Sequence, residues 1–165
     1  MFDIGDFVVF GSDGVCRVEA VGSLDIDGVS REKLYYTLVP VGKTGNGCIF
    51  APVEGKKVTV RRVINTEEAN ALINEIALIE RLHVEDDRKR EERYKQVIQH
   101  CDLREVVQLM KEINSRKEMR DKIGKKLTAI DERYYNIAEN CLCNELSLPL
   151  KMEKNDVRDF ISSRL

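Results

Sequence analysis

Nine of the ten glycines in this 165-residue chain precede Arg61, and only Gly124 follows it. That asymmetry limits the fold more than any single motif does. Glycine supplies the positive φ that tight turns need, and it weakens helix interiors. The chain therefore divides into a turn-rich part, residues 1–64, and a turn-poor part, residues 65–165.

The first part reads as short strands cut by turns. "DFVVF" is followed by the turn "GSDG" and by "VCRVEAV"; "KLYYTLV", "CIFAPV" and "KVTVRRV" come after it. Asp27-Gly28 in "DIDG" predicts a hairpin turn, because both residues tolerate positive φ. "GKTGNG" (Gly42 to Gly47) reads as another hairpin turn: it lacks the Gly-Lys-Ser/Thr ending of a phosphate loop and precedes a strand. Five strands in so few residues predict a small, strongly bent barrel of the SH3 or Tudor kind. Such a barrel leaves a strand edge to which a partner can add a strand. The expected edge carries Leu24 and Ile26 before the turn, with Ile49 and Phe50 on a neighbouring strand. Eight acidic and eight basic residues make this part electrically neutral.

After residue 64 the apolar period becomes helical. Asn65 and Glu68 have capping-box spacing, and Ala69, Leu72, Ile73, Ile76, Ile79 and Leu82 follow at three- and four-residue steps. Asp102 with Glu105 opens another helix, carrying Val106, Leu109, Met110 and Ile113. Thr128 with Asp131 opens a third, with Tyr134, Ala138, Cys141 and Leu142 on its core stripe and Pro149 as its stop. Asn155 is expected to cap a short last helix bearing Val157, Phe160 and Ile161. The fold class is α+β: a five-stranded Tudor-like barrel, then an all-helical bundle.

Composition narrows the function. A net charge of −2 gives no strong attraction to nucleic acid by the molecule as a whole, so any such contact needs a local patch. Five cysteines, no leader-like start and no apolar run near the roughly 18 residues of a membrane span point to a soluble, reduced, cytoplasmic protein. His83 and His100 stand apart without a metal-ligand pattern, and Cys141 and Cys143 point about 200° apart on a helix. No nucleophile–base pair is recognisable. The expectation is a protein that is not an enzyme and has no metal or cofactor.

Two charged stretches remain. In "EDDRKREERYKQVIQHC" (Glu85 to Cys101), Arg90 extends the apolar stripe of Tyr94, Val97, Ile98 and Cys101, while Lys89, Arg93, Gln96 and His100 share an adjacent face. Between Lys111 and Lys126, seven basic residues (Lys111, Arg116, Lys117, Arg120, Lys122, Lys125, Lys126) face three acidic ones, a local net of +4. That cluster straddles a predicted helix–helix turn containing Gly124 and suits phosphate contact. From the residues alone, each stretch is either a solvated surface or a contact face.

"FDIGDFVVFGSDGVCRVEAV" resembles the start of the CarD/CdnL transcription regulators, a module shared with the transcription-repair coupling factor. "RYK" (Arg93 to Lys95) and "ERYYNIAENCLCNELS" resemble that family's C-terminal domain. The resemblance implies that residues 1–64 dock on the β subunit of bacterial RNA polymerase through an edge strand (Leu24, Ile26, Ile49, Phe50). It implies that residues 65–165 contact promoter DNA near the upstream bubble edge, modulating open-complex stability with little sequence preference. Several family members insert a tryptophan there; this chain has none, and the matching position falls at or beside Arg90. The expected DNA-facing residues are Lys89, Arg90, Arg93, Lys95, Arg116, Arg120, Lys122, Lys125 and Lys126, in a chain acting as a monomer. The alternative is a protein–protein adaptor with no DNA role.

Overall fold

The computed structural model describes residues 1–29, 31–42, 47–54 and 60–165. Their contacts group into two compact units, Met1–Val63 and Ile64–Leu165. The "GKTGNG" turn at 43–46 and the start of the last expected strand, 57–59, lie outside the described residues.

The first unit contains β1 (Phe7–Phe10), β2 (Gly14–Gly22), β3 (Tyr35–Pro40), β4 (Ile49–Pro52) and β5 (Val60–Arg62). They form one antiparallel sheet in the order β4-β3-β2-β1-β5. The β1–β2 connection is a single 3-10 turn, Gly11–Asp13, across which Phe10 pairs with Gly14. Gly14 has φ 70° and ψ −138°, a conformation that a side chain would strain. In β2 the register against β3 shifts between Val18 and Ala20, a bulge that bends the strand and lets so small a sheet curl. Val8, Cys16, Val18, Tyr36, Leu38 and Ala51 fill the inside. The Phe2 amide donates to the Tyr36 hydroxyl at 3.0 Å, and the two rings meet at 6.0 Å between centroids. This is the expected Tudor-like sheet, followed by helices.

One connection differs from expectation. The Asp27-Gly28 turn is present, with the Val29 amide donating to the Ile26 carbonyl at 3.1 Å and Gly28 at φ 84°. It does not join a tight hairpin, because Gly22 pairs with Tyr35 and the chain between them leaves the sheet. Leu24 and Ile26 therefore lie outside any strand.

The second unit contains α1 (Thr66–Glu75), α2 (Arg90–His100), α3 (Leu103–Lys122), α4 (Ala129–Leu150) and α5 (Lys154–Ser162). The Asn65–Glu68 capping box forms in both directions. Asp102 and Thr128 accept from the Glu105 and Asp131 amides as expected. The first helix is shorter than its apolar pattern. It tightens into a 3-10 turn at Ile76–Leu78 and turns extended at Ile79. Ile79 and Leu82 are still buried, in extended chain that pairs the Leu82 amide with the Gln108 carbonyl at 2.9 Å. Lys111 explains the stop: its ammonium donates to the carbonyls of Ala77 (3.3 Å) and Ile79 (2.8 Å), which suits the negative end of a helix.

Three further expectations change. Cys143, not Cys141, is the fully buried thiol of α4, because α4 packs against α5 as well as α3 and so buries more than one stripe. Burial and the neighbouring Glu139 push the Cys143 thiol up to about 11. Pro149 falls inside the last turn of α4, and the stop is made two residues later by Lys151 in the left-handed region at φ 53°. Asn155 sits within α5, whose N-cap is Glu153. Glu145, buried in α4, accepts from the Ile64 amide at 3.1 Å and so holds the first residue of this unit. Replacing Tyr36 by Phe removes one partly buried hydrogen bond. It is expected to lower the stability of the first unit by about 1 kcal/mol in chemical denaturation.

Candidate functional site

Two surfaces emerge from this architecture, one in each unit. In the first unit, β4 is an outer strand of the sheet. The Val53 amide donates to the Leu34 carbonyl at 2.9 Å, and the register pairs Tyr36 with Ala51 and Leu38 with Ile49. Hydrogen-bonded and open pairs alternate along an antiparallel ladder. The backbone groups of Phe50 and the carbonyl of Pro52 therefore point away from β3. Proline has no N–H to present, so Phe50 is the one residue at the centre of this edge able to exchange both bonds with an added strand.

Phe50 also keeps 41% of its surface exposed, while Ile49 turns toward the sheet's core. Beyond the strand, Leu34 and Val53 floor an open hollow of about 350 Å³ rimmed by Glu32, Lys33 and Glu54. Ile49 and Phe50 thus belong to the edge strand. Leu24 and Ile26 are carried by the connection between β2 and β3, Ile26 exposed and Leu24 half-buried.

In the second unit the chemistry is organised by Asp131, the third residue of α4, which is fully buried. Its amide donates to the Thr128 hydroxyl oxygen at 3.2 Å, and that hydroxyl donates to Oδ2 at 2.7 Å. The Tyr94 hydroxyl donates to Oδ1 at 3.2 Å and Arg116 Nε donates to Oδ2 at 3.3 Å. Arg90 Nε stands 3.1 Å from Oδ1 as an ion pair, without the alignment of a hydrogen bond. Both guanidinium groups also reach Asp87, through Arg90 Nη1 at 2.7 Å and Arg116 Nη1 at 2.9 Å. Two arginines are thus shared between two aspartates. The start of α2, the later turns of α3 and the first turn of α4 are fastened together at one end of the bundle.

The electrostatics agree with this geometry. The hydrogen bond from Arg90, with the charge of Arg116, holds the Asp87 carboxyl below its ordinary value despite some desolvation. Burial, and then the Asp131 charge, pushes the Tyr94 phenol well up, so it stays a proton donor to that carboxylate. Desolvation works against the Arg116 charge, but Asp131 and Asp87 outweigh it and raise its value.

This network changes the place of two expected DNA-facing residues. Arg90 is only 8% exposed, and Arg116 is largely covered; their charge is neutralised inside the unit by Asp87 and Asp131. Sequence reasoning placed Arg90 on the buried stripe yet left it without a counter-charge. The missing signal lay in Asp131, which was read only as a helix-start residue, and in Asp87 three residues before Arg90. Arg120 is also used locally, its Nε donating to the Lys126 carbonyl at 2.5 Å. Lys89, Lys95, Lys122, Lys125 and Lys126 are exposed and Arg93 half-buried. Lys89 and Arg93 line an open hollow of about 370 Å³ together with Glu85, Asp86 and Glu92. Asp87, just before α2, pairs with Arg116 of α3 and so holds the start of α2 beside the later turns of α3.

Asp131→Asn would leave two arginines facing a neutral amide. The expected loss is roughly 3–5 kcal/mol in urea unfolding followed by helical circular dichroism. Asp87 adds a pH signature. Its folded value lies below its unfolded value near 3.8, so its contribution is complete above that pH and fades as pH falls through the folded value. The helical unfolding midpoint should therefore drop more steeply below about pH 4 in the wild type than in Asp87→Asn.

Residues 2–64 match the family model of the CarD-like/TRCF RID domain. The match ends where the second unit begins. No curated protein matches the chain. The matched family is generally non-enzymatic, and among the described residues no helix is long and apolar enough to cross a membrane. An RID domain makes this a transcription-related protein that interacts with RNA polymerase. Residues 2–64 thus carry a domain of the CarD-like/TRCF RID kind.

Proposed function

We propose that the N-terminal unit docks on the β subunit of RNA polymerase by adding a polymerase strand to β4. The observation that carries this reading is the outer side of β4, centred on Phe50 and unpaired among the described residues, in a unit that matches the RID family. Main-chain pairing along such an edge supplies affinity, and Phe50 and Ile49 supply apolar contact beside it. Leu24 and Ile26 belong to the proposed contact only as loop residues. The hollow beyond Val53 would receive a side chain of an added strand that runs past Pro52.

On the same reading, the helical unit contacts promoter DNA near the upstream bubble edge and modulates open-complex stability. The proposed contacts are Lys89, Arg93, Lys95, Lys122, Lys125 and Lys126, while Arg90, Arg116 and Arg120 hold the surface that carries them. Exposed cations near the start of α2 and at the α3–α4 turn, in a chain of net charge −2, support this. Phosphate contact needs charge and reach and no sequence readout, since polymerase delivers the protein to the promoter. The chain would act as a monomer among the cytoplasmic transcription machinery, with no catalytic step or cofactor of its own.

The adaptor reading, with no DNA role, is favoured by one observation: three of the cluster's cations, Lys111, Arg116 and Arg120, are engaged within the unit. Two substitution sets separate the readings. In the full chain, Phe50→Glu should weaken binding to purified polymerase at least about tenfold, as measured by surface plasmon resonance. Lys122, Lys125 and Lys126 replaced together by Gln should leave that binding intact and shorten open-complex lifetime. An unchanged lifetime would remove the DNA role and leave the adaptor.

A further inference from the structure

Main-chain pairing along an edge strand gives affinity, whereas the side-chain seats beside it give specificity. At β4 the register of an added strand is set by Phe50, which presents both backbone groups at the centre of the edge. Side chains alternate between the two faces of a sheet. Val53, three residues after Phe50, therefore stands on the opposite face and packs against the inside of the unit. Leu34, whose carbonyl accepts from the Val53 amide, lies two residues before the buried Tyr36 and keeps 48% of its surface exposed. In an added strand, the third residue along from the one opposite Phe50 would place its side chain on this face, over Leu34 and Val53.

The hollow of about 350 Å³ lies at that point. Its floor is aliphatic. Its rim carries two carboxylates, Glu32 and Glu54, against the single ammonium of Lys33, and all three residues are exposed. Among the described residues neither carboxylate has a hydrogen bond or an ion pair, so both are available to a partner. A wholly apolar occupant would displace water from the carboxylates without replacing its hydrogen bonds, and an acidic one would be repelled. A lysine or arginine suits both parts of the hollow. Its methylenes cover the aliphatic floor while its charged head stays wet between the two glutamates.

We propose that this hollow seats a lysine or arginine of the polymerase strand, three residues from the one opposite Phe50, with Glu32 and Glu54 as its counter-charges. This rests on the strand-addition reading above and goes beyond it, because it names the partner side chain and the two residues of this chain that select it. Backbone pairing at Phe50 sets the register, and the hollow then reads one position of the partner.

The test is surface plasmon resonance of the full chain on purified bacterial RNA polymerase, at low and at high salt. Wild type is compared with Glu32→Gln/Glu54→Gln, with Glu32→Lys/Glu54→Lys and with Phe50→Glu. Both glutamates lie outside the core, and circular dichroism melting checks that the variants stay folded. The glutamine variant is expected to bind about fivefold more weakly at low salt, through faster dissociation, and the gap should narrow at high salt. The lysine variant should lose more, because it sets like charges together. If the glutamine variant binds like wild type, or more tightly, while Phe50→Glu weakens binding, the cation seat is wrong and strand addition stands. A loss confined to the association rate marks general steering by acidic residues and also overturns the seat. If Phe50→Glu binds like wild type, strand addition and the seat fall together.

Discussion

The carboxylate of Asp131 is the constraint on which the helical unit depends. It is fully buried and faces three donors, the hydroxyls of Thr128 and Tyr94 and the guanidinium of Arg116, with the Arg90 guanidinium beside it as an ion pair. A buried charge is tolerable only when opposite charge and hydrogen-bond donors compensate its lost hydration. They come from three stretches: Thr128 from the α3–α4 turn, Tyr94 and Arg90 from α2, and Arg116 from α3. Satisfying one carboxylate therefore sets the relative position of three helices. Asp87 then ties the outer ends of the two arginines, so the chain just before α2 is held as well.

That arrangement separates structural cations from available ones. Arg90 and Arg116 are consumed by the two aspartates, Lys111 closes the end of α1, and Arg120 closes the α3–α4 turn. The lysines that remain free are presented by these four residues without competing for the same partners. A count of charges along the chain cannot make this distinction, because a cation facing a buried carboxylate and one facing water have the same sequence. The N-terminal unit solves a different problem with backbone alone. Among its described residues no strand pairs with the outer side of β4, where Phe50 presents both backbone groups and Pro52 only its carbonyl.

Much of the secondary structure was legible because its signals are local. The Asn65–Glu68 box, the Asp102 and Thr128 caps and the Gly11–Gly14 turn each act within a few residues. The failures were of longer range. α1 ends early where Lys111, thirty-odd residues away, takes the carbonyls of Ala77 and Ile79 in the chain just beyond it. Cys143 is buried in place of Cys141 because α5 covers a face of α4 that a single amphipathic stripe leaves to solvent. Leu24 and Ile26 fall outside the sheet because Gly22 pairs with Tyr35, a choice made by the β2–β3 register.

By itself, then, the sequence determined a turn-rich stretch and a helical one, the caps that start most helices, and the N-terminal motif that the RID family model matches. These follow from backbone preferences and side-chain to backbone bonds that close within one turn. Only the tertiary structure decided which charges are spent and which are offered. Arg90 is buried against Asp131, while Ile123 and Met119, ordinary apolar letters in a helical pattern, are left in water. The reason is physical: the fate of a charge or an apolar group is set by what faces it across space, and those neighbours come from distant parts of the chain.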